Sequence, residues 1–235
     1  MDDNLSLSEK IKARYRSMYT GVFFKRYIMG LWVAAEGIIY DMFDEERHTL
    51  PIREFFRLLI DGNRYVSCDY GTQNATVFLL WNQGVNKKWY CIREYYYSGR
   101  EKGIQKTDSE FADDLKKWLD ETKIRAIIID PAAASFIAEL RKRGYKVITA
   151  DNDVLDGIRT VATALNTGRI AFCNTCVNTI KEFASYIWDS KAVERGEDKP
   201  VKDHDHAMDA VRYFVYTILE KRIGRIRNKA KAGFD

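Results

Sequence analysis

The spacing of apolar and polar residues predicts regular elements from residue 64 onward. Alternating or aromatic-rich runs predict strands at 64–70, 76–81 and 88–97. Gly71 ends the first run, and a polar turn at 82–87 separates the second run from the third. Connections this short are typical of antiparallel neighbours, so we expect a three-stranded meander.

The spacing becomes helical after the third strand. Thr107 and Glu110 form a capping-box pattern ahead of apolar residues that share one helical face. The apolar run 126–129 predicts a strand buried on both faces, and further strands are expected at 146–149 and 170–172. Helices are expected from Pro131 to Gly144 and at 153–167, 175–187 and 205–222. This order predicts an α/β fold with a ribonuclease H-like mixed sheet and helices on both faces.

Composition limits the class of protein. Apolar residues make up 46% and charged residues 31% of the 235, so we expect one large folded domain rather than a disordered chain. The chain has no uncharged apolar run of about 18 residues, and no membrane span is expected. Four cysteines do not form a disulfide scaffold at this length, and the N-terminus lacks a signal pattern. We therefore expect an intracellular, reducing location.

The charges are distributed unevenly. Residues 1–27 carry a net +3 and residues 221–235 a net +5, which leaves −4 on residues 28–220. An acidic middle between basic ends suits a protein that gathers carboxylates in one place and touches a polyanion elsewhere. The alternative is that both ends are simply solvated.

Three acidic positions indicate a metal site. Asp69 lies in the first strand, and Asp130 follows the buried strand at the edge where α/β sheets place ligands. Asp205, His206 and Asp209 share one face of the last helix. Converging carboxylates repel without a cation, and their oxygens suit two Mg²⁺ or Mn²⁺ ions, which could hydrolyse a phosphodiester. Alternatively, Asp69 bonds the turn at Gly71, Asp130 caps the next helix and Asp205 is an N-cap.

Four motifs carry a resemblance to a known family. They read SCDYG at 67–71, IIDPA at 128–132, VLDGI at 154–158 and DHAMDA at 205–210. In this order, over about 64–222, the chain resembles the C-terminal nuclease domain of the large terminase subunit of tailed bacteriophages. The resemblance implies that Asp69, Asp130 and Asp209 bind the catalytic metals and that His206 orients water or a metal.

The same resemblance implies a biological setting. It implies an endonuclease that cleaves concatemeric double-stranded DNA during genome packaging in the host bacterial cytoplasm. The implied partners are DNA and, in the intact motor, the ATPase domain, the small terminase subunit and the portal, with no membrane. Two alternatives stay open: a catalytically weak DNA-binding or portal-docking module that needs the ATPase domain, and another ribonuclease H-like nuclease such as a junction resolvase.

The chain divides into three expected parts. Residues 1–60 resemble the junction between the family's ATPase and nuclease domains, 61–223 are the expected nuclease domain, and 224–235 form a basic tail. The sequence has no Gly-x-x-x-x-Gly-Lys-[Ser/Thr] loop, so we expect no ATPase activity from a chain that looks like a piece of the motor. Residues 1–60 are expected to pack poorly, since their sheet partners would be missing.

Basic side chains offer candidate DNA contacts. Lys191, Lys199 and Lys202 lie in the polar loop 188–203, just before the acidic helix, and Arg159 lies on the helix predicted at 153–167. We expect the loop to contact DNA phosphates or to gate access to the carboxylates. The alternative is an ordinary solvated loop.

Overall fold

The computed structural model describes residues 6–72 and 74–220, and these contain a seven-stranded mixed sheet. The strands are β1 Thr49–Leu50, β2 Leu59–Asp69, β3 Ala75–Gly84, β4 Trp89–Ser98, β5 Ala126–Ile129, β6 Val147–Thr149 and β7 Ile170–Cys173. Their order across the sheet is β1-β7-β4-β3-β2-β5-β6. The central strands β2, β3 and β4 are antiparallel, whereas β5 and β6 extend the sheet in parallel from β2, and β7 and β1 do so from β4.

Helices cover both faces of the sheet. They are α1 Glu9–Met18, α2 Gly21–Tyr27, α3 Glu45–His48, α4 Ile52–Leu58, α5 Gly99–Lys102, α6 Asp108–Leu119, α7 Ala134–Lys142, α8 Val154–Asn166, α9 Val177–Ser185, α10 Ser190–Glu194 and α11 His206–Phe214, which continues as a π-helical turn, Val215–Glu220. One core layer packs α8, α9 and α11 against the sheet, and the other packs α6 and α7. Among the described residues, no helix combines the length and the apolar character that crossing a membrane requires.

The strands alternate between the two core layers with a period of two. Val77, Leu79 and Trp81 of β3 join the α11 layer, whereas Phe78 and Leu80 join the α6 layer. All four residues of β5 are buried, as a solidly apolar strand requires. The mixed sheet with helices on both faces confirms the predicted fold class.

The predicted capping box is present at the start of α6. The Thr107 side chain accepts from the Glu110 backbone N–H, and the Glu110 carboxylate accepts from the Thr107 backbone N–H. Phe111, Leu115 and Leu119 then bury one face of the helix. This element follows from its local sequence alone.

Several boundaries differ from the prediction. β2 begins at Leu59 rather than 64, and its pairing with β3 shifts register between Leu59 and Arg64. Gly62, at φ 80°, lies within that irregularity, and its polar surroundings hide the strand from a periodicity argument. The loop 188–203 contains α10 and a bridge between Trp188 and Pro200.

The segment before β2 belongs to the same core, contrary to the expected poor packing. Phe23, Tyr40 and Phe55 are buried in the α11 layer, and β1 pairs with β7. Tyr40 packs on Phe183 and Tyr186 with ring centroids 5.5 and 5.7 Å apart. Core contacts within the described residues replace the missing partners, and a boundary after residue 60 would cut β2. The predicted basic tail at 224–235 lies outside the described residues.

Candidate metal centre

Three elements meet at one edge of the sheet. The parallel strands β2 and β5 pair Cys68 with Ile129, so Asp69 and Asp130 follow at the same edge. Helix α11 packs across the same strands, and its first turn carries His206 and Asp209. We call Asp69, Asp130, Asp205, His206 and Asp209 the carboxylate centre.

Asp69 is paired with His206. The His206 Nδ1 donates to Asp69 Oδ2 at 2.9 Å. Burial raises the pKa of Asp69 to about 6, while the bond from His206 opposes the shift and nearby Asp209 adds to it. Burial lowers the pKa of His206, but its bond to Asp69 outweighs this, so the net pKa lies above the ordinary value. The histidine therefore holds Asp69 through one ring nitrogen and leaves the other for a further partner.

Asp209 lies between two cations. Its Oδ1 accepts from Arg212 Nη2 at 2.7 Å, and its Oδ2 accepts from Lys202 Nζ at 3.1 Å. The same ammonium lies 3.0 Å from Asp205 Oδ2. Burial lowers the pKa of Lys202, but Asp209 and Asp205 raise it more, so the ammonium keeps its charge.

Asp130 is held by neutral donors. Its Oδ1 accepts from the backbone N–H of Ala132 at 2.7 Å, and its Oδ2 accepts from Tyr213 Oη at 3.0 Å and Asn152 Nδ2 at 3.2 Å. Burial raises the pKa of Tyr213, and Asp209, Asp69 and Asp130 raise it further. The phenol therefore stays neutral as a donor and feels all three acids.

The start of α11 is fixed by Glu182 of α9 rather than by Asp205. Asp205 occupies the N-cap position, but its side chain makes no capping bond. Instead, Glu182 Oε2 accepts from the backbone N–H groups of Ala207 at 2.7 Å and Met208 at 3.2 Å, and Tyr96 Oη donates to Oε1 at 2.9 Å. The N-cap expectation for Asp205 is wrong because a buried carboxylate from another helix takes the exposed donors.

A cavity of about 410 Å³ opens onto the centre. Asp69, Asp205, His206 and Asp209 line it, together with Lys202 and Arg100. Arg100 comes from α5, directly after β4. Asp130 lies outside this lining, behind its bonds to Tyr213 and Asn152. The cavity thus presents acids and cations together.

Comparison with known proteins decides the family. A family model for the terminase RNaseH-like domain matches residues 69–217, which is more than half of the chain. The chain belongs to this family. The match begins at Asp69 and includes Asp130, His206 and Asp209.

Three relatives illustrate the similarity of this terminase domain to known proteins. It is 56% identical to the large terminase of a thermophilic bacteriophage, solved in complex with ADP, with a TM-score of 0.86 over 93% of this chain and 54% of that one. It is 26% identical over 190 residues to the large terminase subunit of Escherichia phage T5, over 78% of this chain and 42% of that protein. The large terminase nuclease of thermophilic phage G20c, with bound magnesium, shares the fold at 15% identity and a TM-score of 0.53, over 67% of this chain and 82% of that one. The chain spans about half the length of the first two.

The donor set of this terminase domain suits a hard divalent cation. Four carboxylates face two permanent cations, Lys202 and Arg212, so the centre keeps an excess of negative charge. Carboxylate oxygens are the ligands that Mg²⁺ prefers. Across residues 6–72 and 74–220, no three His, Cys, Asp or Glu side chains are grouped closely enough to form a ready-made metal cage. Chemistry and placement fit a cation, and binding one requires the acids to exchange protein partners for it.

The candidate DNA-contact residues are dispersed. Lys202 lies within the centre, on Asp205 and Asp209. Lys199 pairs with Glu197 at 2.7 Å, and Arg159 pairs with Asp156 at 2.7 Å. Lys191 is exposed on α10. The structure therefore brings one of the four to the acids.

Sequence reasoning missed the residues that hold the acids in place. Asn152, Glu182, Arg212 and Tyr213 each bond an acid or the helix that carries one. Arg212 lies three residues after Asp209, a spacing that places both on one helical face. That spacing was the available signal, whereas Glu182 comes from a different helix and Arg100 from a connection after β4.

Proposed function

We propose that this domain is a metal-dependent endodeoxyribonuclease that cleaves concatemeric phage DNA during packaging. One observation carries the proposal. Two neighbouring strand ends and one helix in a member of the terminase RNaseH-like family bring Asp69, Asp130 and Asp209 around a single phenol, Tyr213. A buried group of acids at this edge of the sheet needs a cation, and a divalent cation suits phosphate chemistry.

Asp69, Asp130 and Asp209 would hold two Mg²⁺ or Mn²⁺ ions, with His206 beside them. When bound, such ions activate the attacking water and stabilise the leaving 3′ oxygen. Magnesium is present in the G20c nuclease, which supports this choice of metal. His206 would orient Asp69 through Nδ1 and exchange a proton through Nε2. Tyr213 and Asn152 would orient Asp130, and Arg212 would orient Asp209.

The chain's cations would bind the DNA backbone. Arg100 lines the cavity beside the acids, where a guanidinium can meet a phosphate in two parallel hydrogen bonds. Lys191, Lys199 and Arg159 would contact phosphates further along the duplex. Contacts of this kind set position and carry little sequence information. In the whole motor, the partners would be the ATPase domain, the small terminase subunit and the portal, in the host bacterial cytoplasm.

One observation favours a second candidate, a docking module with little activity of its own. Lys202 and Arg212 already satisfy Asp209, and three donors satisfy Asp130. An acid held in this way needs a rearrangement before it can bind metal. In the docking module, that rearrangement would depend on the ATPase domain.

Plasmid cleavage tests the proposal. The chain should nick and linearise supercoiled DNA with Mn²⁺ or Mg²⁺, and EDTA should abolish the activity. Asp130→Asn keeps the side chain's shape but removes its charge, and the cleavage rate should fall at least about 100-fold. Asp61→Asn is the matched control, because Asp61 lies on the same strand as Asp69 but is 93% exposed. A folded wild-type chain that cuts with neither metal would support the docking module.

A further inference from the structure

We propose that Arg212 is a positioning residue for Asp209 and that Gly157 makes room for it. The VLDGI motif at 154–158 would then serve the metal centre from another helix. This inference rests on the proposed metal-binding role of Asp209. It assigns a reason for glycine at residue 157 that a helix by itself does not supply.

Arg212 connects the two sides of the centre. Its side chain is buried, and Nη2 donates to Asp209 Oδ1 at 2.7 Å. Its Nη1 donates to the backbone carbonyl oxygens of Asn152 at 2.8 Å and Asp153 at 3.3 Å. The Asn152 side chain in turn donates to Asp130 Oδ2 at 3.2 Å. One guanidinium therefore joins the helix that carries Asp209 to the segment that holds Asp130, and it fixes the spacing of the two acids.

Gly157 lies directly against the stem of this arginine. A Cβ at residue 157 would lie 2.5 Å from Arg212 Cγ and 2.6 Å from its Cδ, closer than side-chain carbons approach. The residue lies within α8, where glycine lowers helix stability relative to alanine. The guanidinium is held at three acceptors, so the stem has no freedom to move aside. Close approach, rather than backbone conformation, accounts for the glycine.

Gly157→Ala should therefore act at a distance on Asp209. The new methyl group would displace the Arg212 stem and break its bond to Asp209. Removing an outer partner of a metal-binding side chain typically weakens metal affinity by roughly 10–100-fold. We expect the Mn²⁺ dissociation constant to rise about tenfold in Gly157→Ala and in Arg212→Ala.

A double-mutant cycle provides the test. Removing the Arg212 side chain vacates the space that the new Cβ needs, so Gly157→Ala should add nothing to Arg212→Ala in Mn²⁺ titrations of the full chain. Arg143→Ala is the matched control, because Arg143 also binds two carboxylates but lies on the far side, at the end of α7. Its Mn²⁺ affinity should equal that of the wild type. Additive losses in the double variant, or wild-type affinity in Gly157→Ala, would overturn the proposal.

Thermal unfolding of the same four proteins separates this proposal from the proposed function. Gly157→Ala should lower the melting temperature in the wild type but raise it in Arg212→Ala, where the greater helix propensity of alanine acts unopposed. This change of sign requires no metal. If the wild type binds no Mn²⁺, the proposed function fails, and the change of sign still decides whether Gly157 and Arg212 are coupled. If Arg212→Ala does not fold, a crystal structure of Gly157→Ala decides, and an Arg212 still bonded to Asp209 would refute the coupling.

Discussion

Each acid of the carboxylate centre depends on one or two named neighbours. The positions of Asp69, Asp130, His206 and Asp209 could be predicted from the sequence because strand ends and helical spacing decide them. Their partners could not all be predicted. Lys202 approaches from a loop and Glu182 from another helix, and only tertiary packing brings them to the acids. Local patterns predict where the functional groups stand, but not what orients them.

Arg100 is expected to bind substrate rather than metal. Its side chain lines the cavity beside the acids, so Arg100→Ala should weaken binding of a short duplex while leaving Mn²⁺ affinity unchanged. A lost phosphate contact should reduce the slope of log affinity against log salt concentration by about one. Duplex-binding titrations at several salt concentrations measure this slope.

Lys102→Ala provides the control for this prediction. Lys102 lies on the same short helix, but its ammonium is 5.8 Å from the centre of the Tyr97 ring, and it is not part of the cavity lining. The salt slope of Lys102→Ala should stay close to that of the wild type. Equal slopes for Arg100→Ala and the wild type would remove Arg100 from the substrate site.

At the scale of elements, two carboxylates connect the sheet to the helix that carries the site. Glu94 of β4 accepts from the backbone N–H groups of Asn178 at 3.0 Å and Thr179 at 2.6 Å, at the start of α9. Glu182 of α9 then accepts from the first N–H groups of α11. Carboxylates favour helix N-termini because exposed N–H groups and the helix dipole attract them. The position of His206 and Asp209 therefore depends on residues remote from them in sequence.

Glu182 should make stability fall as the pH rises. Burial raises its pKa from 4.5 to about 7 in the folded state, although its hydrogen bonds oppose the shift. Between these pH values, the folded chain keeps a proton that the unfolded chain has released. This group's contribution to the free energy of unfolding therefore decreases across that window, by at most about 1.4 kcal/mol per pH unit. Glu182→Gln should remove this decrease.

Urea unfolding at pH 5, 6, 7 and 8 checks the prediction. The stability of the wild type relative to Glu182→Gln should fall from pH 5 to 7 and level off by pH 8. Glu110→Gln is the control, because bonds from Thr107 hold the pKa of this exposed carboxyl below its ordinary value. Its difference from the wild type should be constant over this range. A constant difference for Glu182→Gln as well would contradict the raised pKa.

The elements themselves differed in how well the sequence predicted them. β5 and the start of α6 follow from a continuous apolar run and a capping box, so the local sequence was sufficient. The start of β2 was hidden, because Asp61, Gly62 and Asn63 break the apolar pattern while the chain still pairs irregularly with β3. The continuation of α11 as a π-helical turn also carried no local signal.

At the scale of the whole molecule, the segment before β2 is part of the fold. Its aromatic side chains fill the α11 layer, and β1 forms the outer edge of the sheet. We propose that residues 6–60 and the expected nuclease domain form one folding unit. The sequence suggested a separate piece because the resemblance assigned these residues to a junction, and a resemblance does not count core contacts.

Tyr40 provides the stability test of that unit. Its side chain is 1% exposed and packs on Phe183 and Tyr186, so Tyr40→Ala should lower the free energy of unfolding by about 3–5 kcal/mol. Trp32 lies in the same segment but is fully exposed, and Trp32→Ala should change it by less than about 0.5 kcal/mol. Denaturant unfolding compares the two variants. Equal, small effects would mean that the segment folds separately.

The central claim is that the carboxylate centre binds divalent metal, and anomalous diffraction from crystals soaked in Mn²⁺ tests it most directly. The account predicts anomalous peaks within about 2.5 Å of oxygens of Asp69, Asp130 and Asp209. Those peaks should disappear in Asp209→Asn and persist in Asp61→Asn. Peaks elsewhere, or a centre without a peak at saturating Mn²⁺, would contradict the account.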